Sequence, residues 1–241
     1  MRKIAFFVEG QTEASFIQKL LEEIVNEKYI SIIITTYSRG GRSGTPRSGV
    51  IESEKIVSDE KYIANICISG TDNRVNSDIS DNLQTLKDSG FELIVGLRDL
   101  RGDLHGHPAT LADLPKMENA NKQIFKGKLP NVHIVIAVME IETWFIGETN
   151  HYLNIDPRLT PDLITGSVAC IGINPYIDDL TLIMKPAETL HNIYSLVNKN
   201  YSKKIRERTI NALDFANVYL GLPSKIGKIK ELIDILDAFL I

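Results

Sequence analysis

Lys3-Ile4-Ala5-Phe6-Phe7-Val8-Glu9-Gly10-Gln11-Thr12-Glu13 carries a short apolar run straight into an acid and a glycine. An unbroken apolar run of this length fits a strand buried on both faces, because a half-exposed strand would alternate. From Thr12, a suitable N-cap, the pattern changes, and Phe16, Ile17, Leu20, Leu21, Ile24 and Val25 recur at helical spacing. A strand passing at once into a helix opens a βαβ unit.

The alternation continues outward. Residues 29–37 and 61–69 read as strands, separated by a loop over 38–49 that holds four glycines and three arginines. Val75, Ile79, Leu83 and Leu86 mark a helix that Gly90 ends, and a strand over 91–97 leads into Arg98-Asp99-Leu100-Arg101-Gly102-Asp103. A helix within 108–126 precedes the most apolar strand, 132–139, which runs into Glu140-Ile141-Glu142-Thr143-Trp144-Phe145. Beyond His151, prolines at 157, 161, 175 and 186 punctuate a region whose helices are expected over 186–198, 203–219 and 224–240. The expected fold is α/β, a mostly parallel sheet sandwiched by helices. Residues 1–150 form the core, and 151–241 form a helical extension packed on it.

Composition bounds the function. The 241 residues suffice for a large core without structural zinc, and Cys67 and Cys170 lie in apolar surroundings with no partner at ligand spacing. No apolar stretch is long enough for a membrane span, and Glu9 comes too early for a signal peptide, so a cytoplasmic protein is expected. A net charge of −4 argues against non-specific coating of nucleic acid. Yet residues 185–230 hold nine basic side chains against three acids, a local excess of +6 expected to face a polyanion. The glycine-rich loop lacks the Gly-Lys-Ser/Thr ending of a nucleotide-binding loop, so ATP binding finds no support. It reads equally as a wrap for a phosphate backbone or as a plain surface loop. His105 and His107 read as turn residues, since no third His or Cys completes a zinc set.

Three proposed strands end in carboxylates: Glu9, then Asp99 with Asp103, then Glu140 with Glu142. In a parallel sheet these ends share one edge, so acids remote in sequence converge. Converging carboxylates repel unless a cation neutralises them, and an all-oxygen set suits a hard divalent ion, Mg²⁺ or Mn²⁺. Such an ion polarises a phosphoryl oxygen and activates water. Lys203, Lys204, Arg206 and Arg208 put basic charge near the start of a helix, where its dipole disfavours them, so a phosphate-neutralising role for Lys203 is expected.

Val8-Glu9-Gly10-Gln11-Thr12-Glu13 resembles the opening motif of Toprim-fold proteins, above all the Toprim-like families found near phage-defence genes and the related OLD-family nucleases. Glu140-Ile141-Glu142-Thr143-Trp144-Phe145 is similar to the Glu-x-Glu-aromatic segment after their last core strand, and Lys185-Pro186 and Tyr201-Ser202-Lys203 resemble their C-terminal elements. The resemblance implies Mg²⁺-dependent cleavage of DNA or RNA. It also implies Glu9 as general acid/base at the metal, with Asp99, Asp103, Glu140 and Glu142 as further ligands. Arg101 stands where the second acid of the Asp-x-Asp motif belongs, with Asp103 as its substitute. Two other readings stay open: a non-catalytic regulatory or binding subunit of a defence complex, and a phosphatase for small phosphoesters.

Overall fold

Arg2–Val8 forms β1, and Ile4 through Val8 have no exposed surface. Burying each of its phenylalanines contributes roughly 2 kcal/mol, which explains why this run carries no polar residue. The computed structural model describes residues 1–38, 47–100, 103–104 and 107–240, and only the backbone at 72, 103, 104, 107 and 108. After β1 come α1 (Gln11–Val25), β2 (Ile30–Tyr37), β3 (Gly49–Lys55), β4 (Tyr62–Ile68), α2 (Asp72–Asp88) and β5 (Leu93–Asp99). The two-residue strands β6 (Asp103–Leu104) and β7 (His107–Pro108) pair with each other, and α3 (Leu114–Phe125) leads to β8 (Asn131–Ala137).

The main sheet runs β3-β2-β4-β1-β5-β8, parallel throughout except that β3 is antiparallel to β2. The strands expected at 3–8, 91–97 and 132–139 are therefore neighbours, with Val8 opposite Leu97 and Asp99 opposite Ala137. Alternate side chains of β1 assign the layers. Phe6 and Val8 pack with Phe16, Ile17 and Leu20 of α1, while Ala5 and Phe7 pack with Val75 and Ile79 of α2 on the other face. Gly96 in β5 permits that second layer, because a Cβ there would lie 2.6 Å from Ile134 Cδ1 and 3.0 Å from Ile79 Cδ1.

The C-terminal part is helical: α4 (Glu142–Gly147), α5 (His151–Ile155), α6 (Pro161–Gly166), α7 (Val168–Ile171), α8 (Pro186–Ser195), α9 (Arg206–Ala212), α10 (Phe215–Leu220) and α11 (Gly227–Leu240). It packs on the α1 face, where Tyr194, Ile210, Val218, Ile229 and Leu236 join Phe6, Phe16 and Trp144 in one apolar cluster. The helix expected over 203–219 is broken into a 3₁₀ turn at Lys203–Ile205, α9 and α10, and the Asp214 carboxylate caps α10 by accepting from Asn217 N at 3.1 Å. One local expectation changes and one element is added. Helix α1 is capped at extended Gly10 rather than Thr12, and Gly49–Lys55, to which the sequence assigned no strand, is an edge strand. Among the described residues no helix is long and apolar enough to cross a membrane.

Candidate functional site

β8 ends at Ala137, and the chain turns sharply. Met139 takes a left-handed φ of 63°, and Glu140 N donates to Val138 O at 3.0 Å, a γ-turn that few non-glycine residues adopt. Thr143 Oγ1 donates to the same carbonyl at 3.1 Å and fixes the start of α4. The turn drives Glu140 and Glu142 inward, leaving them 1% and 0% exposed. Ala187 N, in the first turn of α8, donates to Glu140 Oε2 at 3.3 Å, and the Tyr201 hydroxyl donates to Glu142 Oε1 at 2.7 Å. Glu142 Oε2 has no hydrogen-bond partner among the described residues.

Lys203 Nζ lies 3.6 Å from Glu140 Oε1 and 3.8 Å from Glu142 Oε1. Partial burial disfavours its charge, but the fields of Glu142, Asp99, Glu140 and Glu13 outweigh that and hold it charged well above the usual lysine range. Burial pushes the Glu142 carboxyl up to about 7 despite the pull of Lys203 and Tyr201. Glu13 is raised too, chiefly by burial, with Glu9 adding like-charge repulsion.

The second half of the edge lies between β1 and β4. These strands are adjacent, but the helices after them cover opposite faces, which opens a crevice at their carboxyl ends. A cavity of about 730 Å³ fills it, lined on one side by Glu9 and Glu13 and elsewhere by Ser69, Arg74, Lys203, Lys204 and Arg206. Ser69 N donates to Val8 O at 2.8 Å and Gly70 N to Glu9 O at 2.7 Å, tying the two strand ends together. Arg47, at the end of the arginine-rich loop, is buried against Asp78 and donates to the carbonyls of Ser38 and Ser69 at 2.7 and 2.9 Å.

Of the residues singled out from sequence, Asp99, Glu140, Glu142 and Lys203 gather, and Glu9 lines the cavity that Lys203 also reaches. Asp103 has a described backbone in β6 only, so its side chain lies outside the described residues, as do Arg101, His105 and residues 39–46 of the arginine-rich loop. Only part of the basic region reaches the cavity. Lys185 pairs with Glu188, Lys228 with Glu118 and Glu231, and Lys230 with Asp234. Glu13, Ser69 and Arg74 were not among the expected site residues. Arg74, a cation in the first turn of α2, was the available signal.

Oxygen donors suit Mg²⁺ or Mn²⁺, but the described residues do not fit such an ion as they stand. Among the described residues no three His, Cys, Asp or Glu side chains are placed to hold one, and the Lys203 ammonium is already the cation shared by Glu140 and Glu142.

A family model described as a domain of unknown function, DUF4276, matches residues 8–160. No protein of curated function matches the chain. Among solved structures, a candidate cell surface hydrolase from Lactobacillus plantarum WCFS1 aligns at 13% identity and a TM-score of 0.31, over 63% of this chain and 57% of that one. So loose a superposition transfers neither fold nor activity.

Proposed function

We propose, for a chain that belongs to the DUF4276 family of domains of unknown function, that it hydrolyses phosphodiester bonds of DNA or RNA. The observation that carries this reading is the cavity at the β1/β4 crevice, where Arg74, Lys203, Lys204 and Arg206 share one wall system with Glu9. Cations of this kind seat a nucleic acid backbone, while a carboxylate among them takes the proton of an attacking water. Water adds to phosphorus, its proton passes to Glu9, and the bond to the leaving sugar oxygen breaks as that oxygen takes a proton from Glu9 or from solvent. Lys203, held charged by four carboxylates, neutralises the charge that develops on the phosphoryl oxygens. The divalent ion implied by the Toprim resemblance takes no part in this step while Lys203 is paired with Glu140 and Glu142. Cys67 and Cys170 are unpaired, which accords with a reducing cytosol as the site of action.

A second reading is favoured by one contact. Lys203 pairing with Glu140 and Glu142 occupies these carboxylates with a cation of the chain's own, which suits a strand-binding subunit without catalysis, such as a member of a defence complex. Labelled DNA and RNA oligonucleotides and nitrophenyl phosphate, each with and without Mg²⁺ or Mn²⁺, separate the two. Cleavage by the wild-type chain, lowered by about 10²–10⁴ in Glu9→Gln, is the expected result. Oligonucleotides bound but left intact under every condition would sink the hydrolase and leave the binding subunit, and turnover of nitrophenyl phosphate alone would reassign the site to small phosphoesters.

A further inference from the structure

Lys203 reaches the buried acids from a fixed support. The Tyr201 hydroxyl donates to Glu142 Oε1 at 2.7 Å, and the Tyr201 backbone is pinned to α8, where His191 Nδ1 lies 3.2 Å from its O and 3.3 Å from its N. On the other flank Arg208 of α9 donates to Asn200 Oδ1 at 3.3 Å. One strap over residues 200–203 thus brings both a hydroxyl and a cation to Glu142. The Lys203 side chain is half exposed, so solvent is open to it. Its ammonium nevertheless lies 3.6 Å from Glu140 Oε1 and 3.8 Å from Glu142 Oε1, on carboxylates with almost no surface of their own.

Buried carboxylates stay close together only when a positive charge or a proton is shared among them. Two kinds of cation could supply the charge. A divalent ion must touch its ligand oxygens directly, and Mg²⁺ keeps several waters besides. Here one oxygen of each acid is already engaged, Glu140 Oε2 by Ala187 N and Glu142 Oε1 by Tyr201, and among the described residues no three acids are placed as ligands. An ammonium need only stand near both acids. Carried two residues from Tyr201 on the same strap, it is present at a high effective concentration whatever the metal content of the solution.

We propose that Lys203 is the chain's own substitute for a divalent ion: its ammonium takes the place between Glu140 and Glu142 in which Mg²⁺ or Mn²⁺ would sit, and these acids bind neither ion while the strap is in place. The inference goes beyond the hydrolytic reading, because it holds whether the open cavity cuts phosphodiesters or only grips them. Removing the ammonium turns the acids into a site for an ion, with Glu142 Oε2, which has no hydrogen-bond partner among the described residues, as one of its ligands.

Titration of the chelator-treated full chain with Mn²⁺, read by calorimetry and by the paramagnetic resonance of the free ion, tests this without turnover. Lys203→Ala is expected to bind Mn²⁺ at least about tenfold more tightly than the wild type, and the gain should vanish when Glu140→Gln is added. Glu140→Gln alone, a change of similar shape, should leave the wild-type response to Mn²⁺ unaltered, which keeps the test decisive if Lys203→Ala does not fold. The expected pattern in a chain that cuts no nucleic acid keeps the lysine substitute and loses the hydrolase. Equal Mn²⁺ affinity in the wild type and folded Lys203→Ala, or a wild-type affinity that falls in Glu140→Gln, overturns the substitute, whether or not nucleic acid is cut.

Discussion

At the ends of β5 and β8 the carboxylates of Asp99, Glu140 and Glu142 are buried around one ammonium, whereas at the ends of β1 and β4 the polar groups stand around an open cavity. The same edge of one sheet thus carries a sealed half and an accessible half. Parallel register explains why both exist, since it delivers every strand end to one side. The difference comes from the path the chain takes on leaving each strand. After β8 the chain turns into α4 beneath α8 and the Tyr201 segment, which close over the acids. After β1 and β4 the helices depart to opposite faces and leave a gap. In the sealed half the acids are held in buried contacts and share one ammonium, while charge in the open half is available to a ligand.

The largest effect is expected at the rear of the open half. The Arg47 and Asp78 side chains are 4% and 2% exposed, and Asp78→Ala leaves a guanidinium buried without its carboxylate, a loss of about 3–5 kcal/mol measurable by urea denaturation. A change below about 1 kcal/mol would mean that the cavity wall does not depend on this pair.

The sealed half is probed by pH. Because the folded-state value of Glu142 is raised from 4.5 to about 7, the folded chain binds a proton more tightly than the unfolded one. The resulting stability is fully present below the unfolded value and is lost as pH rises through the folded one, by about 3 kcal/mol. Glu142→Gln, with no proton to lose, should flatten that decline between pH 5 and pH 8. Parallel stability profiles for the two chains would show that the acid is not sealed.

The smallest effect on folding is expected where the open half meets solvent. Lys204→Ala and Arg206→Ala should change stability by no more than about 0.5 kcal/mol, yet each should reduce the slope of log affinity against log salt for an oligonucleotide by about one. Unaltered slopes would make these residues a solvated face and confine binding to the crevice.

The parallel order was legible because the cores of β1 and β5 and the second half of β8 are apolar on both faces, a pattern that a covered sheet explains. β3 was not, since Gly49-Val50-Ile51-Glu52-Ser53-Glu54-Lys55 is largely exposed on both faces and so carries no alternation. The acids at the strand ends could be placed at one edge from sequence, but their neutralisation by Lys203 could not. That contact joins residues about sixty apart along the chain, through a segment whose helix is broken where periodicity read it as continuous. The basic run was overextended for a related reason, because Lys228 and Lys230 find acids on α3 and on their own helix that a linear count of charge does not see.

Met139 also limits which sequences can occupy the turn after β8. Its backbone lies where glycine is at ease and a β-branched residue is strained. Its side chain, 6% exposed, fills space against Leu100, Ile136 and Val138. Glycine would relax the turn and hollow the core, whereas valine or isoleucine would fill the core and strain the turn. An unbranched, adaptable thioether satisfies both demands, so the tolerance of position 139 to substitution is narrow from two directions at once, although the residue itself carries no charge and need touch no ligand.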